Sequence, residues 1–301
     1  MRLLRGRKLC STFTSFLLLI ISVLFCSTVF LSYKVLTSEQ CRSERSEILR
    51  YETTNPKHKP ILSKHKLALL VPFRNRLEEL MVFAPYIHDF LKEQGVNHQI
   101  FVLNQVDSYR FNRASLINVG YLYTKNEYDY IAMHDVDLLP LNKALMYSYP
   151  SQPHHLAAPH LHPRYHYAKF IGGILLINRE QFALVDGLSN RYWGWGLEDD
   201  EFYVRLRDAL LNVTRPENIL TNRTNTFRHI HDKSRKRDTV KCDRQKEVTR
   251  RRDRETGLHD VKYKISSHND LVINGAPVIL INIRLMCNTN QTPWCDCEGK
   301  P

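Results

Sequence analysis

The sequence predicts an α/β fold, a single mixed and largely parallel central sheet flanked by helices, placed behind an N-terminal transmembrane helix. Three observations carry that expectation. Short apolar runs alternate with stretches of helical spacing between residues 66 and 133, the pattern of parallel βαβ units. Residues 9–33 contain no charged side chain and outrun the roughly 20 apolar residues that span a bilayer. Between the two lies a polar stretch without apolar periodicity, as in a flexible stem.

Taken in order, residues 1–8 carry Arg2, Arg5, Arg7 and Lys8. Positive charge stays on the cytoplasmic side. Residues 1–8 are therefore a cytoplasmic tail, residues 9–33 a signal anchor, and the remainder of the chain is expected across the membrane. A cleaved signal peptide is the alternative, but its apolar region is shorter, about 7–15 residues. The stem is residues 34–60, ending in Asn55-Pro56 and Lys59-Pro60, and residues 61–301 are the folded lumenal domain. Within it, residues 66–71 read as a strand closed by Pro72, 77–91 as a helix and 99–103 as a second strand. Residues 114–123 read as a helix, 128–133 as a third strand and 170–177 as a fourth, with no internal repeat. Ligands of such sheets bind beyond the carboxyl ends of the strands, which points to the residues after Met133.

Lys and Arg number 43 against 31 Asp and Glu, a net charge of +12. That balance suits a polyanion, but a lumenal domain does not meet nucleic acid, so no such partner is expected. The basic run from Lys233 to Arg254 is expected to be solvated, as charge runs usually are; docking of an acidic protein or of a pyrophosphate is the sharper alternative. Sequons at Asn212, Asn222 and Asn290 agree with a lumenal domain. Cys10 and Cys26 fall in the anchor and Cys41 just beyond it, while Cys242, Cys287, Cys295 and Cys297 lie in the C-terminal part. Four cysteines in an oxidising lumen imply two disulfides whose pairing is left open. The alternative, zinc, is disfavoured because Cys295-Asp-Cys297 is tighter than the usual half-site.

Directly after the third strand comes His134-Asp-Val-Asp137. Asp135 and Asp137 project to the same side there and can hold a divalent cation that neutralises a diphosphate leaving group. Alone the triplet reads equally as a solvated turn. His229 and His231, two residues apart, would add imidazoles from one side of an extended segment; with Asp137 they suit Mn²⁺, with Zn²⁺ the alternative by ligand type. Trp193-Gly-Trp-Gly-Leu-Glu-Asp-Asp-Glu201 places two flat apolar faces beside four acids. The acids suit the start of a helix continuing through Leu206, and crowding raises their pKa so that one can serve as a general base. Two carboxylates also serve a glycosidase; the metal ligands favour group transfer.

Pro72-Phe-Arg-Asn-Arg76, Phe111-Asn-Arg-Ala114, Asp135-Val-Asp137, Gly172-Gly173 and the Trp193–Glu201 stretch occur in this order across nearly the whole lumenal part. Together they resemble the β-1,4-galactosyltransferase family. His160-Leu-His-Pro-Arg-Tyr-His-Tyr167 and His229-Ile-His231 are similar to the members that add galactose to xylose; members acting on N-acetylglucosamine carry a Met and one His for the metal instead. The resemblance implies a GT-A type nucleotide-sugar-binding fold, UDP-galactose as donor, Mn²⁺ as cofactor and inversion of configuration. It also implies as acceptor the 4-hydroxyl of xylose on proteoglycan core proteins, giving the second sugar of the glycosaminoglycan linkage region, and a Golgi membrane location.

Carried over by position, the resemblance assigns Asp137, His229 and His231 to the metal and Asp199 to the catalytic base. Glu198, Asp200, Tyr165, Tyr167 and Trp195 fall to the acceptor. Pro72, Phe73, Arg74, Arg76, Phe111, Arg113, Asp135, Val136 and Asp137 fall to the donor, with Trp195 lining that side as well. Phe170 stands where the family usually has Tyr. It keeps the bulk that limits room at the sugar 2-position and loses the hydroxyl, and galactose is expected over N-acetylgalactosamine. The alternatives are a galactosyl- or N-acetylgalactosaminyltransferase acting on N-acetylglucosamine, and a non-catalytic membrane lectin.

Overall fold

Strand β1 (Lys66–Phe73) buries every residue after Lys66, as a strand covered on both faces must. Its side chains alternate between two cores. Leu67, Leu69 and Val71 join one, with Phe83, Ile87 and Leu91 of helix α1 (Leu77–Glu93). Ala68 and Leu70 join the other, with Leu116, Ile117 and Val119 of helix α2 (Arg113–Thr124). The structure is a computed structural model and describes residues 62–230, 235–240 and 242–297, together with Leu24, Cys26, Ser27, Thr28 and Phe30, which are helical. The expected tail and stem and the rest of the expected anchor lie outside the described residues. Among the described residues, no helix is long and apolar enough to cross a membrane.

Strands β2 (Asn97–Gln105) and β3 (Tyr130–His134) flank β1 and run parallel to it. Short strand β4 (Leu138–Pro140) comes after the site loop, β5 (His154–His155) sits at one sheet edge, and β6 (Ile174–Asn178) pairs antiparallel with β3. Helices α3 (Arg179–Leu184) and α4 (Glu198–Asp208) come next, then β7 (Phe227–His229) and the short helix α5 (Gln245–Thr249). The chain closes with the hairpin β8 (Tyr263–Ile273) and β9 (Ala276–Leu285) and a 3₁₀ turn at Pro293–Asp296. The large sheet has the order β5-β6-β3-β1-β2-β9-β8, and β4 and β7 form a separate pair. Its four central strands are parallel, with antiparallel strands on both sides. Mixed and largely parallel is thus the observed architecture, with both helices of the βαβ units in their expected places.

Two elements differ from the sequence reading. The fourth strand begins at Ile174 rather than at residue 170, because the backbone bends at Gly172-Gly173, where Gly173 has φ +79. In the β8–β9 hairpin, β8 has no signature in the apolar periodicity. The turn is Asn274-Gly275 with φ 46 and 89, the positive angles a tight hairpin turn demands. β8 is exposed along most of its length, so it lacks the apolar alternation that marks a half-buried strand. The four C-terminal cysteines do form two disulfides, Cys242–Cys297 and Cys287–Cys295.

Candidate active site

The loop leaving β3 is fixed from beneath. His134 is fully buried; its Nδ1–H donates to the Asp135 carbonyl at 2.9 Å and its Nε2 accepts from the Tyr147 hydroxyl at 2.9 Å. Burial pushes this imidazole down to about 4, so it is neutral and structural. The Asp135 N–H donates to the Gly173 carbonyl at 2.9 Å. That bond ties the Asp135-Val-Asp137 loop to the Gly172-Gly173 bend.

Arg113 joins the two acidic motifs. It stands at the first position of α2, whose N-cap Asn112 accepts from the Ser115 N–H at 2.8 Å, a cap of the usual kind. Its Nε donates to Asp135 Oδ1 and its Nη1 to Asp199 Oδ1, each at 3.0 Å. Burial alone would lower the guanidinium pKa; Asp135, Asp199 and Glu198 outweigh burial and raise it.

Helix α4 opens on Glu198, Asp199, Asp200 and Glu201, where the helix dipole favours negative charge. The two carboxyls facing the site are nevertheless held above their ordinary range. Glu198 is pushed up to about 7, first by burial and then by the neighbouring Asp199 charge, with Arg113 opposing. Asp199 is raised by burial, against Arg113 and with Asp135 and Asp200 adding to the rise. Its carboxylate rests where Gly172 has no side chain: a Cβ there would collide with Asp199 Oδ2 and the Phe170 ring. Glycine is needed at position 172 for that close approach.

On the other side of the loop, the β4–β7 pair sets Leu138 opposite His229, and the Ile230 N–H donates to the Asp137 carbonyl at 2.8 Å. This register brings His229 Nε2 to 3.5 Å from Asp137 Oδ2. One carboxylate oxygen and one imidazole nitrogen so placed are a donor set that fits Mn²⁺. His231 lies outside the described residues, among which no group of three or more possible ligands is assembled.

Aromatic side chains wall the remaining side. Trp193 is buried and Trp195 is 51% exposed. Tyr165 lies 6.5 Å from Trp195 and 5.0 Å from Phe170, ring centre to ring centre. Tyr167 lies 5.5 Å from Phe170 and bonds the Asp200 carboxylate. Burial first, then that carboxylate, raises its pKa. Phe170 is itself buried, edge-on to His155 and His162.

Some expected donor residues serve the walls instead of offering free groups. The Arg74 guanidinium donates to the carbonyls of Gln105, Tyr109 and Asp107 at 3.2, 2.6 and 3.0 Å and lies 6.0 Å over the Phe111 ring. Arg76 pairs with Glu79 at 3.4 Å, and Pro72, Phe73 and Val136 are buried. The basic run departs most from expectation. Arg235 is paired with Glu79 at 3.0 Å, Asp238 with Arg110 at 2.7 Å, and Arg237 lies over the rings of Trp195 and Tyr165 at 4.8 and 5.6 Å. Arg235, Arg237 and Asp238 border the site and are not merely solvated, because each of these three charges meets a side chain remote in sequence, whereas Lys236 is exposed. Arg110 and Asp238 escape a reading of the sequence; unlike charges 128 residues apart leave no local signal. Asn212, Asn222 and Asn290 are all exposed.

Two family profiles match the chain. Residues 24–150 match the N-terminal region of glycosyl transferase group 7, and residues 152–231 match a profile described as the N-terminal domain of galactosyltransferase. The chain is 62% identical over 240 residues to beta-1,4-galactosyltransferase 7 of Drosophila melanogaster, covering 79% of this chain and 74% of that protein. It is 50% identical over 243 residues to the xylosylprotein 4-beta-galactosyltransferase of Caenorhabditis elegans, covering 77% of this chain and 83% of that one. The crystal structure of the catalytic domain of the Drosophila enzyme in complex with xylobiose superimposes with a TM-score of 0.77, covering 78% of this chain and all of that domain. A mutant of the same enzyme, in complex with manganese, UDP-Gal and xylobiose, gives the same TM-score and coverage.

Proposed function

This chain belongs to the β-1,4-galactosyltransferase family, and from that premise we propose how its site moves galactose from UDP-galactose to xylose. Its mixed α/β sheet is that of a GT-A catalytic domain, and its activity is galactose transfer to a xylose acceptor. The observation that carries the mechanism is Arg113, which holds Asp135 and Asp199 on one guanidinium, each at 3.0 Å. Donor loop and base are thereby locked at a fixed separation.

Asp199 is the general base. It takes the proton of the xylose 4-hydroxyl as that oxygen attacks the anomeric carbon from the face opposite UDP, so configuration inverts. Arg113 opposes the burial that raises Asp199 and so favours its ionised form. Asp200 and Tyr167 hold acceptor hydroxyls, and Tyr165 and Trp195 offer their faces to the sugar rings. Asp137, His229 and His231 would hold Mn²⁺, which when bound would neutralise the diphosphate leaving group. Phe170 and the Gly172-Gly173 bend shape the floor beside the galactose 2-position.

The acceptor in the cell is xylosylated proteoglycan core protein, and the product carries the second sugar of the glycosaminoglycan linkage. The uncharged stretch 9–33 and the preceding basic tail support a type II anchor in the Golgi membrane with the catalytic domain lumenal. Release of UDP from UDP-galactose, measured with a β-xyloside or an N-acetylglucosaminide and with or without Mn²⁺, tests the whole reading. The xyloside and Mn²⁺ together should give turnover. Preference for the N-acetylglucosaminide would move the chain to another branch of the family, and binding without turnover would make it a lectin.

A further inference from the structure

Arg110 is a buried cation outside the acidic motifs and the metal ligands, with its side chain only 2% exposed. Its guanidinium grips Asp238 at both oxygens, Nε to Oδ2 at 2.7 Å and Nη2 to Oδ1 at 2.8 Å. The remaining donors reach Gln245 Oε1 at 2.8 Å and the carbonyls of Trp294 and Val240 at 3.2 and 3.3 Å. Gly194, with φ +85, makes room: a Cβ there would fall on the guanidinium. Paired and bidentate, this is the strong form of the interaction.

Asp238 connects that fixed post to the acceptor side. Its carbonyl accepts the Trp195 N–H at 2.9 Å. Its neighbour Arg237 lies 4.8 Å over the Trp195 ring and 5.6 Å over Tyr165, within range for a cation–π contact. Three residues upstream of Asp238, Arg235 is held by the buried Glu79 of α1 at 3.0 and 3.2 Å. Residues 235–238 are therefore pinned at both ends by side chains that do not touch the sugar, with Arg237 pressed on the aromatic wall between them.

We infer that Arg110 and Asp238 are positioning residues for the acceptor, setting Trp195 and Arg237 where xylose is received, with Glu79–Arg235 as the second pin. The inference rests on the reading of Tyr165, Tyr167 and Trp195 as the acceptor side. It predicts a split between the two substrates. The donor side is held chiefly by β1, β3 and Arg113, whereas Asp238 bonds Arg110 and the Trp195 backbone, so loosening the pin should weaken the acceptor more than the donor.

Asp238→Asn tests this in the full chain with Mn²⁺ present. The KM for a β-xyloside should rise about tenfold, the loss of one charge-assisted pair. The affinity for UDP-galactose and its slow hydrolysis by water should change far less. Asp238→Glu, which keeps the charge, should recover part of the acceptor KM, and Arg235→Gln should show the same split through the other pin while leaving the Arg76–Glu79 pair in place. An unchanged xyloside KM in both Asp238→Asn and Arg235→Gln overturns the inference. So does a loss of donor hydrolysis and melting temperature in step with transfer, which would make the pair merely structural. A wild-type chain without transfer to xyloside would overturn the site reading itself, and this inference with it.

Discussion

Glu198 and His229 carry separable predictions at the scale of single side chains. Burial holds the Glu198 carboxyl at about 7 against an ordinary value of 4.5. The folded state therefore binds that proton more tightly than the unfolded chain, and the stabilisation is complete below 4.5 and lost as pH rises through 7. Glu198→Gln has no charge to bury. It should melt higher than the wild type at pH 8, and the difference should close as pH falls to 5; a difference independent of pH refutes the assignment. The buried histidines, whose pKa values are lowered, act with the opposite sign but cancel between the two proteins. His229 stands 3.5 Å from Asp137, and His229→Ala should shift the Mn²⁺ activation curve to higher metal concentration, by more than the roughly 10–100-fold that loss of a supporting partner of a ligand costs. An unshifted titration would remove His229 from the metal site.

At the scale of elements, the legible parts are those whose chemistry is local. β1, α1, β2, α2 and β3 announce themselves by runs and periods of apolar residues, and α4 by the acids of its first turn. In the β8–β9 hairpin, β8 is legible only through Asn274-Gly275, because it faces solvent and carries no apolar pattern. Arg110–Asp238 is not legible at all, since the pair is assembled by the fold. Disulfides can be counted from the sequence but not paired, and their stabilities differ. Cys242–Cys297 closes 55 residues and Cys287–Cys295 closes 8, and loop-closure entropy favours the longer by about 1.7 kcal/mol. Replacing the Cys242–Cys297 pair by serine should lower stability to urea more than replacing the other pair. The reverse order would mean that local packing around the 3₁₀ turn, and not loop entropy, dominates.

For the molecule as a whole, the sheet does what its topology requires. The carboxyl ends of β1 and β3 converge on one edge of the sheet, and Arg113 from the helix between them binds both acidic motifs. Motif order along the chain is readable, and so is the chemistry of each motif. Their meeting point is not, because it depends on α2 and α4, which pack into one core, bringing Arg113 and Asp199 together. The net charge of +12 suggests a basic surface; part of it is a pinned segment across the site, with Arg237 on the aromatic wall.

The central claim is that Asp199, held by Arg113 against the Gly172 backbone, is the base for the xylose 4-hydroxyl. The most direct measurement is galactose transfer to a β-xyloside by Asp199→Asn, with UDP-galactose binding measured on the same protein. Transfer should fall by about 10²–10⁴-fold, the share of a general base, while donor binding is retained. Transfer at a rate comparable to the wild type, with donor still bound, would contradict the account.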